Sequence, residues 1–347
     1  MANYDDLRLS VQAISGGKND VLFDDQLMPS IMVPINKFQI SDVITGGSAA
    51  THPAFIVNNT ELDKVWVSKF QNIVINNRAY SLPMKDPRVS INFDTAFTYC
   101  RNKGGGWCLM PYSVQAAIAL WCRKNGTMPR GNNNYGADHS YPHEKGTPAS
   151  YNGTQVNRTL TGSGPATWSH DWTNEGIADL NGNVWEWNAG MRLNEGEIQI
   201  ISGSSIFDAT ISNAADSAAW KAILGSDGSL VAPGTAGTLK YDTTTRKLVT
   251  NLTAGTAVNQ SGEYTTIGIE GSLTAPEIAE ALILYPDDPS GDYGGDYHYW
   301  NASGERLPLV GGSWGDTSGA GVFDVGLADV RSYSVTYLGF RAAYAEL

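Results

Sequence analysis

Apolar residues recur along this chain in short alternating runs more often than in long helical stripes. Leu7, Leu9 and Val11 alternate in LRLSVQ, which predicts a strand near the start. Ser15-Gly16-Gly17-Lys18 reads as a turn, and Ile31, Met32, Val33 and Ile35 predict a second strand. Pro34 interrupts it and places it at a sheet edge. The small-residue run Gly46 to Ala50 marks a boundary, so residues 1–60 read as a small β-rich unit, either an attachment or oligomer-forming element or a layer packed on the main domain. Val65 to Phe70 and Ile73 to Ile75 predict further strands, with Asn76-Asn77 as a hairpin turn.

The period then changes. Ala96, Phe97 and Cys100 fall on one face of a helix from Asp94 to about Asn102, capped by Asn92 or Asp94 and stopped by Gly104-Gly105-Gly106. Val114, Ile118, Trp121 and Cys122 form the stripe of a second, amphipathic helix from Ser113 to about Lys124, with Gly126 as its terminator. From Pro129 to Asp171 no period holds. This stretch reads as a long structured loop pinned by Tyr135, Tyr141, Tyr151 and Trp168. Asn181-Gly182 is a tight turn before a strand carrying Val184, Trp185 and Trp187. Residues 194–280 read as a β-rich insertion. It holds a strand at Ile198 to Ile201, a short helix near Ser217 to Leu224, and turn-rich hairpins through Gly255 and Gly262. Pro276 suits the first turn of another short helix ending near Leu284.

Composition narrows the class. In 347 residues, 38 glycines, 16 tyrosines and 10 tryptophans favour turns and aromatic packing over long helices. A net charge of -12 opposes phosphate binding, so no nucleic-acid partner is expected. The longest apolar run, around Ala116 to Cys122, is too short to span a bilayer, and the N-terminus lacks the pattern of a signal peptide. The expectation is no membrane insertion, with any role outside the producing cell reached by another route, such as assembly into a virus particle.

Candidate chemistry is sparse. Cys100, Cys108 and Cys122 form no C-x-x-C pair, and Cys100 and Cys122 sit on apolar helix faces. His52, His139, His143, His170 and His298 are scattered, and Pro142 breaks the one pair with helical spacing, His139 and His143. Asp287, Asp288, Asp292 and Asp296 do not match a calcium loop, although a cation there stays open. No catalytic residue, metal site or cofactor is assigned.

The last stretch, Leu307 to Leu347, has a different logic. Leu307, Leu309, Val310, Val322, Phe323, Val325, Leu327 and Leu338 to Tyr344 are apolar anchors. Between them stand small, acidic and aromatic residues: Gly315, Asp316, Gly319, Asp324, Gly326, Ala328, Asp329, Tyr333, Val335 and Tyr337. Fixed anchors carrying an assorted set predict a scaffold that presents a recognition surface. Tyr333 and Tyr337 would supply contact area at low rotamer cost, while Asp316, Asp324 and Asp329 would select complementary donors or positive charge. Gly311 and Gly312 would permit close backbone approach, Trp314, Trp185 and Trp187 would give apolar bulk, and Arg341 would tie loops together.

The order of these motifs carries a resemblance. Leu109-Met110-Pro111-Tyr112-Ser113 opening a helix, then Gly182-Asn183-Val184-Trp185-Glu186-Trp187, then Gly311-Gly312-Ser313-Trp314 and Gly339-Phe340-Arg341 resemble the C-type lectin fold of the formylglycine-generating-enzyme type. The likeness runs roughly from Val65 to Leu347 outside the insertion. It implies an α+β domain over 61–347 with two helices, mixed β and much irregular loop, and a variable region at about 300–347. The oxidases of that family use a cysteine pair near the C-terminus. This chain has no cysteine after Cys122, and the related iron-dependent sulfoxide-synthase branch uses a histidine cluster that its scattered histidines do not supply, which argues against a metal-dependent oxidase of either type as the alternative. The Thr127 to Gly136 and Thr167 to Trp187 stretches are more similar to variable proteins of diversity-generating retroelements, phage receptor-binding proteins among them. That resemblance implies a hypervariable binder on a virion or cell surface, diversified at adenines from about Gly315 to Tyr337, with a protein or cell-surface receptor as partner. Gly, Asp, Ala, Tyr and Val are all reachable from the asparagine codon AAC through its first two bases. A purely structural virion component is the third reading.

Overall fold

A computed structural model describes residues 4–255 and 259–347. Met1 to Asn3, the start of the predicted N-terminal unit, and 256–258, within the predicted hairpins after Gly255, lie outside the described residues. The architecture is mixed open sheets with few helices.

The chain begins with α1, Tyr4–Ile14, where alternation predicted a strand. The period-two pattern finds no sheet face to enter, because Leu7, Leu9 and Ile14 are all exposed. Local preference then decides: Leu, Arg, Gln and Ala are good helix formers, and Asp5 and Asp6 suit the first turn. Arg8 anchors the helix through two bonds, of 2.8 and 2.7 Å, to the Asp20 carboxylate.

The first sheet joins both ends of the chain. Strands β1 (Asp20–Phe23), β2 (Pro29–Asn36) and β3 (Lys64–Ser68) pair antiparallel in sequence. β2 is therefore not an edge strand. β1 covers only residues 29–32, however, so Pro34 has β3 as its single neighbour and its missing N–H is harmless there. Ile73–Ile75 and Arg78–Tyr80 form the predicted hairpin, with Asn76 and Asn77 at φ 51 and 59°, as a two-residue turn of this hand requires.

Two helices pack against this sheet. α2, Phe93–Arg101, is capped by Asn92, whose side chain accepts the Thr95 N–H at 2.9 Å. β4, Trp107–Leu109, then leads into α3, Tyr112–Asn125. Every residue from Tyr112 to Leu120 is buried, so over this span α3 is buried on all sides and not only along the stripe that predicted it. Gly126 ends it at φ 67°, and the Thr127 N–H closes back on the Cys122 carbonyl at 3.0 Å.

Beyond the loops come β5 (Trp185–Trp187), β6 (Met191–Asn194) and β7 (Glu197–Ile201). The segment predicted as a helix near Ser217 is instead β8, Trp220–Ile223, because Gln199 to Ile201 offer it a partner edge and Trp220 and Ala222 bury. β9 (Lys240–Asp242) and β10 (Lys247–Val249) extend this second sheet. β11, Gln260–Glu263, leaves it to pair with β12, Tyr297–Trp300. Between β11 and β12 lies the short helix α4, Glu277–Ala281, begun at Pro276.

The third sheet carries the C-terminal stretch. Its strand order is β11, β12, β14 (Val325–Leu327), β13 (Leu309–Val310), β5, then β15 (Leu338–Phe340). β15 runs parallel to β5. One residue later the same strand continues as β16, Ala342–Tyr344, between β3 and β4 of the first sheet. Arg341 is the residue at that transfer. It is fully buried, and its guanidinium meets Glu186 at 2.6 Å on both arms and the carbonyls of Ser68, Ala178 and Asp179 at 3.0 to 3.3 Å. Among the described residues, no helix is long and apolar enough to cross a membrane.

Candidate functional site

The third sheet positions the site through strand parity. In β14, Val325 and Leu327 are fully buried in the core, and Gly326 turns the other way under the Trp185 ring, 3.6 Å from the place of a Cβ. Above this floor is a concavity of about 320 Å³. Asp316, Gly326, Ala328, Asp329, Tyr333 and Tyr337 line it, together with the scaffold residue Trp185. Tyr299, Leu309 and Ser313 complete it. These three are not among the assorted residues: Leu309 is one of the apolar anchors, Ser313 belongs to the Gly311 to Trp314 motif, and Tyr299 precedes the terminal stretch. Trp185 and Tyr299 meet edge to face at 6.1 Å, and the Tyr333 and Tyr337 hydroxyls bond at 2.7 Å.

Gly315, Gly319, Asp324 and Val335 do not line it. Asp324 shares its strand face with Gly326, but the Gly312–Ala320 turn lies over it. A Cβ on Gly312 would fall 2.5 Å from Ala320 and 2.8 Å from the Asp324 carboxylate. Asp324 is thus 0 % exposed, an interior residue rather than a displayed acid. Both its oxygens lack a hydrogen-bond partner among the described residues, and burial pushes its pKa well up. Val335 is half-buried, and its carbonyl accepts the Ser90 N–H at 3.0 Å.

The glycines of the stretch divide into two kinds. At Gly311 and Gly312, φ is 91 and 76° and neighbours stand 2.9 and 2.5 Å from a would-be Cβ. Gly321 is closed by Asp296 at 2.1 Å and Gly339 by the Arg88 carbonyl at 2.7 Å. At Gly315, Gly319 and Gly326 the nearest atoms are 3.2, 3.4 and 3.5 Å away and φ is not positive. The first four positions are fixed by sterics, while the three among the assorted residues can take a Cβ with little or no adjustment.

Three devices hold the rim. Ser313 donates its N–H and hydroxyl to Asp316 at 2.7 and 2.9 Å, closing a turn. Trp314 packs edge-on against Tyr337 at 6.1 Å. Arg331, which the sequence reading passed over, binds Glu305 at 2.9 and 3.0 Å and Asp94 at 2.8 Å and stacks on Phe93, fixing the middle of the loop to α2. Burial opposes ionisation of Glu305, but its bonds to Arg331 and Arg192 outweigh this and lower its pKa.

The loop region beneath is held differently from the expectation. Tyr135, Tyr141 and Tyr151 are exposed, and only Trp168 of the four aromatics is buried. Buried asparagines do the pinning. Asn183 donates to Gln71 at 2.7 Å and accepts from the Thr159 N–H at 2.8 Å and Asn132 at 3.1 Å. Asn133 and Asn181 meet at 3.1 Å, and Gly131 and Gly182 let the two backbones touch. The NNN run in RGNNNYG was the available signal.

The remaining candidates lie elsewhere. Cys100, Cys108 and Cys122 are buried free thiols whose pKa burial raises, Cys108 to about 11. Burial lowers His52 and His170 to about 4 and His298 to about 3. No group of three or more His, Cys, Asp or Glu among the described residues could hold a metal ion. Asp287 pairs with Arg123 at 2.8 Å. Two larger clefts, of 490 and 390 Å³, lie between α2 and residues 209–214 and beside Trp172 and Asp296. The smaller concavity is the one into which the assorted residues converge.

No family model and no curated protein matches this chain. Among solved structures it is similar to the Major Tropism Determinant P3c and U1 variants, each at 11% identity and a TM-score of 0.32 over 90% of this chain. It spans 62% of the length of those proteins. It is also similar to Treponema denticola variable protein 1, at 12% identity and a TM-score of 0.34, over 94% of this chain and 98% of that one. Values this low leave the reading of the site to its own geometry.

Proposed function

We propose that this chain is a non-enzymatic binding protein of the retroelement-diversified kind. In this reading residues 61–347 form a C-type lectin domain of the formylglycine-generating-enzyme type, with an insertion at about 194–280 and a variable region at about 300–347. Residues 1–60 are the element that joins it to a virion or cell surface. The partner is a protein or receptor on a target cell, and Asp316, Gly326, Ala328, Asp329, Tyr333 and Tyr337 are its contacts. The observation that carries the reading is their convergence on one concavity whose floor, Gly326, admits a Cβ at ordinary contact distance. A rigid rim loses little entropy on binding.

The test is to sequence the terminal coding stretch in many sibling isolates. Substitutions gathered at the concavity positions, at adenine-derived codons, with Gly311, Gly312, Gly321, Gly339 and Arg341 constant, are expected. A uniform stretch, or changes spread without regard to the concavity, would overturn it in favour of a fixed binder or a structural virion part.

A further inference from the structure

The concavity is chemically one-sided. Four aromatic rings, Trp185, Tyr299, Tyr333 and Tyr337, face it with two carboxylates, Asp316 and Asp329, and among the described residues no lysine or arginine lines it. The protein leaves both acids with capacity. Ser313 engages only one oxygen of Asp316. The Asp329 side chain has no hydrogen bond or salt bridge among the described residues. The cations nearby do not answer them. Arg331 is committed to Glu305 and Asp94, and Arg306 acts on Asp329 only at a distance, from outside the lining. Burial pushes the Asp329 pKa up, the signature of a carboxylate short of a partner.

Aromatic faces carry negative potential and attract cations, more strongly where water is excluded. A neutral apolar group placed here would desolvate two acids without compensation, and an anion would be repelled. At about 320 Å³ the space is at the small end for a ligand pocket and admits one long side chain with room to spare. The net charge of -12 favours approach of a basic partner.

We propose that the concavity receives a single lysine or arginine side chain from a protein partner, held by the aromatic rings and by Asp316 and Asp329. This rests on the binding-face reading above and adds the chemistry of what is bound. Aromatic residues supply the area, and the acids set the sign.

The experiment titrates the full chain with four short blocked peptides, Gly-Gly-X-Gly-Gly, where X is arginine, lysine, norleucine or glutamate. Binding is followed by NMR or calorimetry at low and high salt. The basic peptides should bind at least about tenfold more tightly than norleucine, and added salt should weaken them. Asp316→Asn/Asp329→Asn should abolish that preference. Asp329→Asn alone breaks no hydrogen bond, so it keeps the test readable if Asp316→Asn disturbs its turn. Gly326→Val, which fills the floor, should block all binding. Equal binding of norleucine, undiminished arginine binding by the acid-free variants, or no binding of the basic peptides overturns the proposal. Norleucine binding that Gly326→Val removes would leave the binding face standing and remove only the cation. If Gly326→Val leaves the binding of every peptide unchanged, the binding-face reading falls as well.

Discussion

Arg341 and Glu186 meet in the interior as a two-armed pair, Nε to Oε2 and Nη2 to Oε1, both at 2.6 Å. Arg341 stands where one strand leaves the third sheet and enters the first, and Glu186 lies in β5 beside it. The pair therefore clamps the two sheets at the point where β15 becomes β16. Removing one partner strands a buried charge. Arg341→Met or Glu186→Gln should each cost roughly 3–5 kcal/mol in urea unfolding. Loss of under 1 kcal/mol would show the pair to be incidental.

The glycine division makes a paired prediction. Gly312→Ala meets Ala320 at a positive φ, and should lose more than about 1 kcal/mol. Gly326→Ala enters ordinary contact distance and should stay within about 0.5 kcal/mol. Thermal melting of the two variants decides it, and equal effects would remove the steric basis for separating scaffold from display.

Asn183 tests the loop pinning. It is buried at φ 63°, with its amide and carbonyl both engaged. Asn183→Ala leaves Gln71, Thr159 and Asn132 short of partners and puts alanine in a left-handed conformation, so a loss of at least about 2 kcal/mol is expected. Proteolysis should then cut first within residues 130–160.

Stability should carry a pH signature from Asp296. Burial raises its carboxyl to about 8, against an unfolded value near 4. Between those values the folded chain holds a proton that the unfolded chain releases. The contribution is full below about pH 4 and declines as pH rises to about 8, by at most about 1.4 kcal/mol per unit. The buried histidines work in the opposite sense below their usual value. The comparison that isolates Asp296 is wild type against Asp296→Asn. The variant should gain on wild type from pH 4 to 8 and hold a constant difference above it. A pH-independent difference would mean that Asp296 is ionised in the fold.

Local signals located much of this protein. Asn92 and Gly126 bracket the helices because capping is settled within a few residues. Asn76-Asn77 fixed a hairpin, and Trp185 to Trp187 a strand, for the same reason. Local signals failed where a distant partner decided. β8 became a strand because β7 offered an edge, and α1 became a helix because no edge received it.

The candidate site divides along the same line. The sequence alone determined which stretch has fixed ends and assorted residues, and that Gly311, Gly312 and Arg341 stand at its anchors. Tertiary structure decided which assorted residues share one space. It covered Asp324 with the Gly312–Ala320 turn, opened Gly326 beneath Trp185, and brought Tyr299 beside Tyr333 and Tyr337. Spacing cannot encode this, because the faces of β12, β13 and β14 are set by pairing between separate strands, with β13 also held on β5 far back in the chain, and one step of register would turn every side chain over.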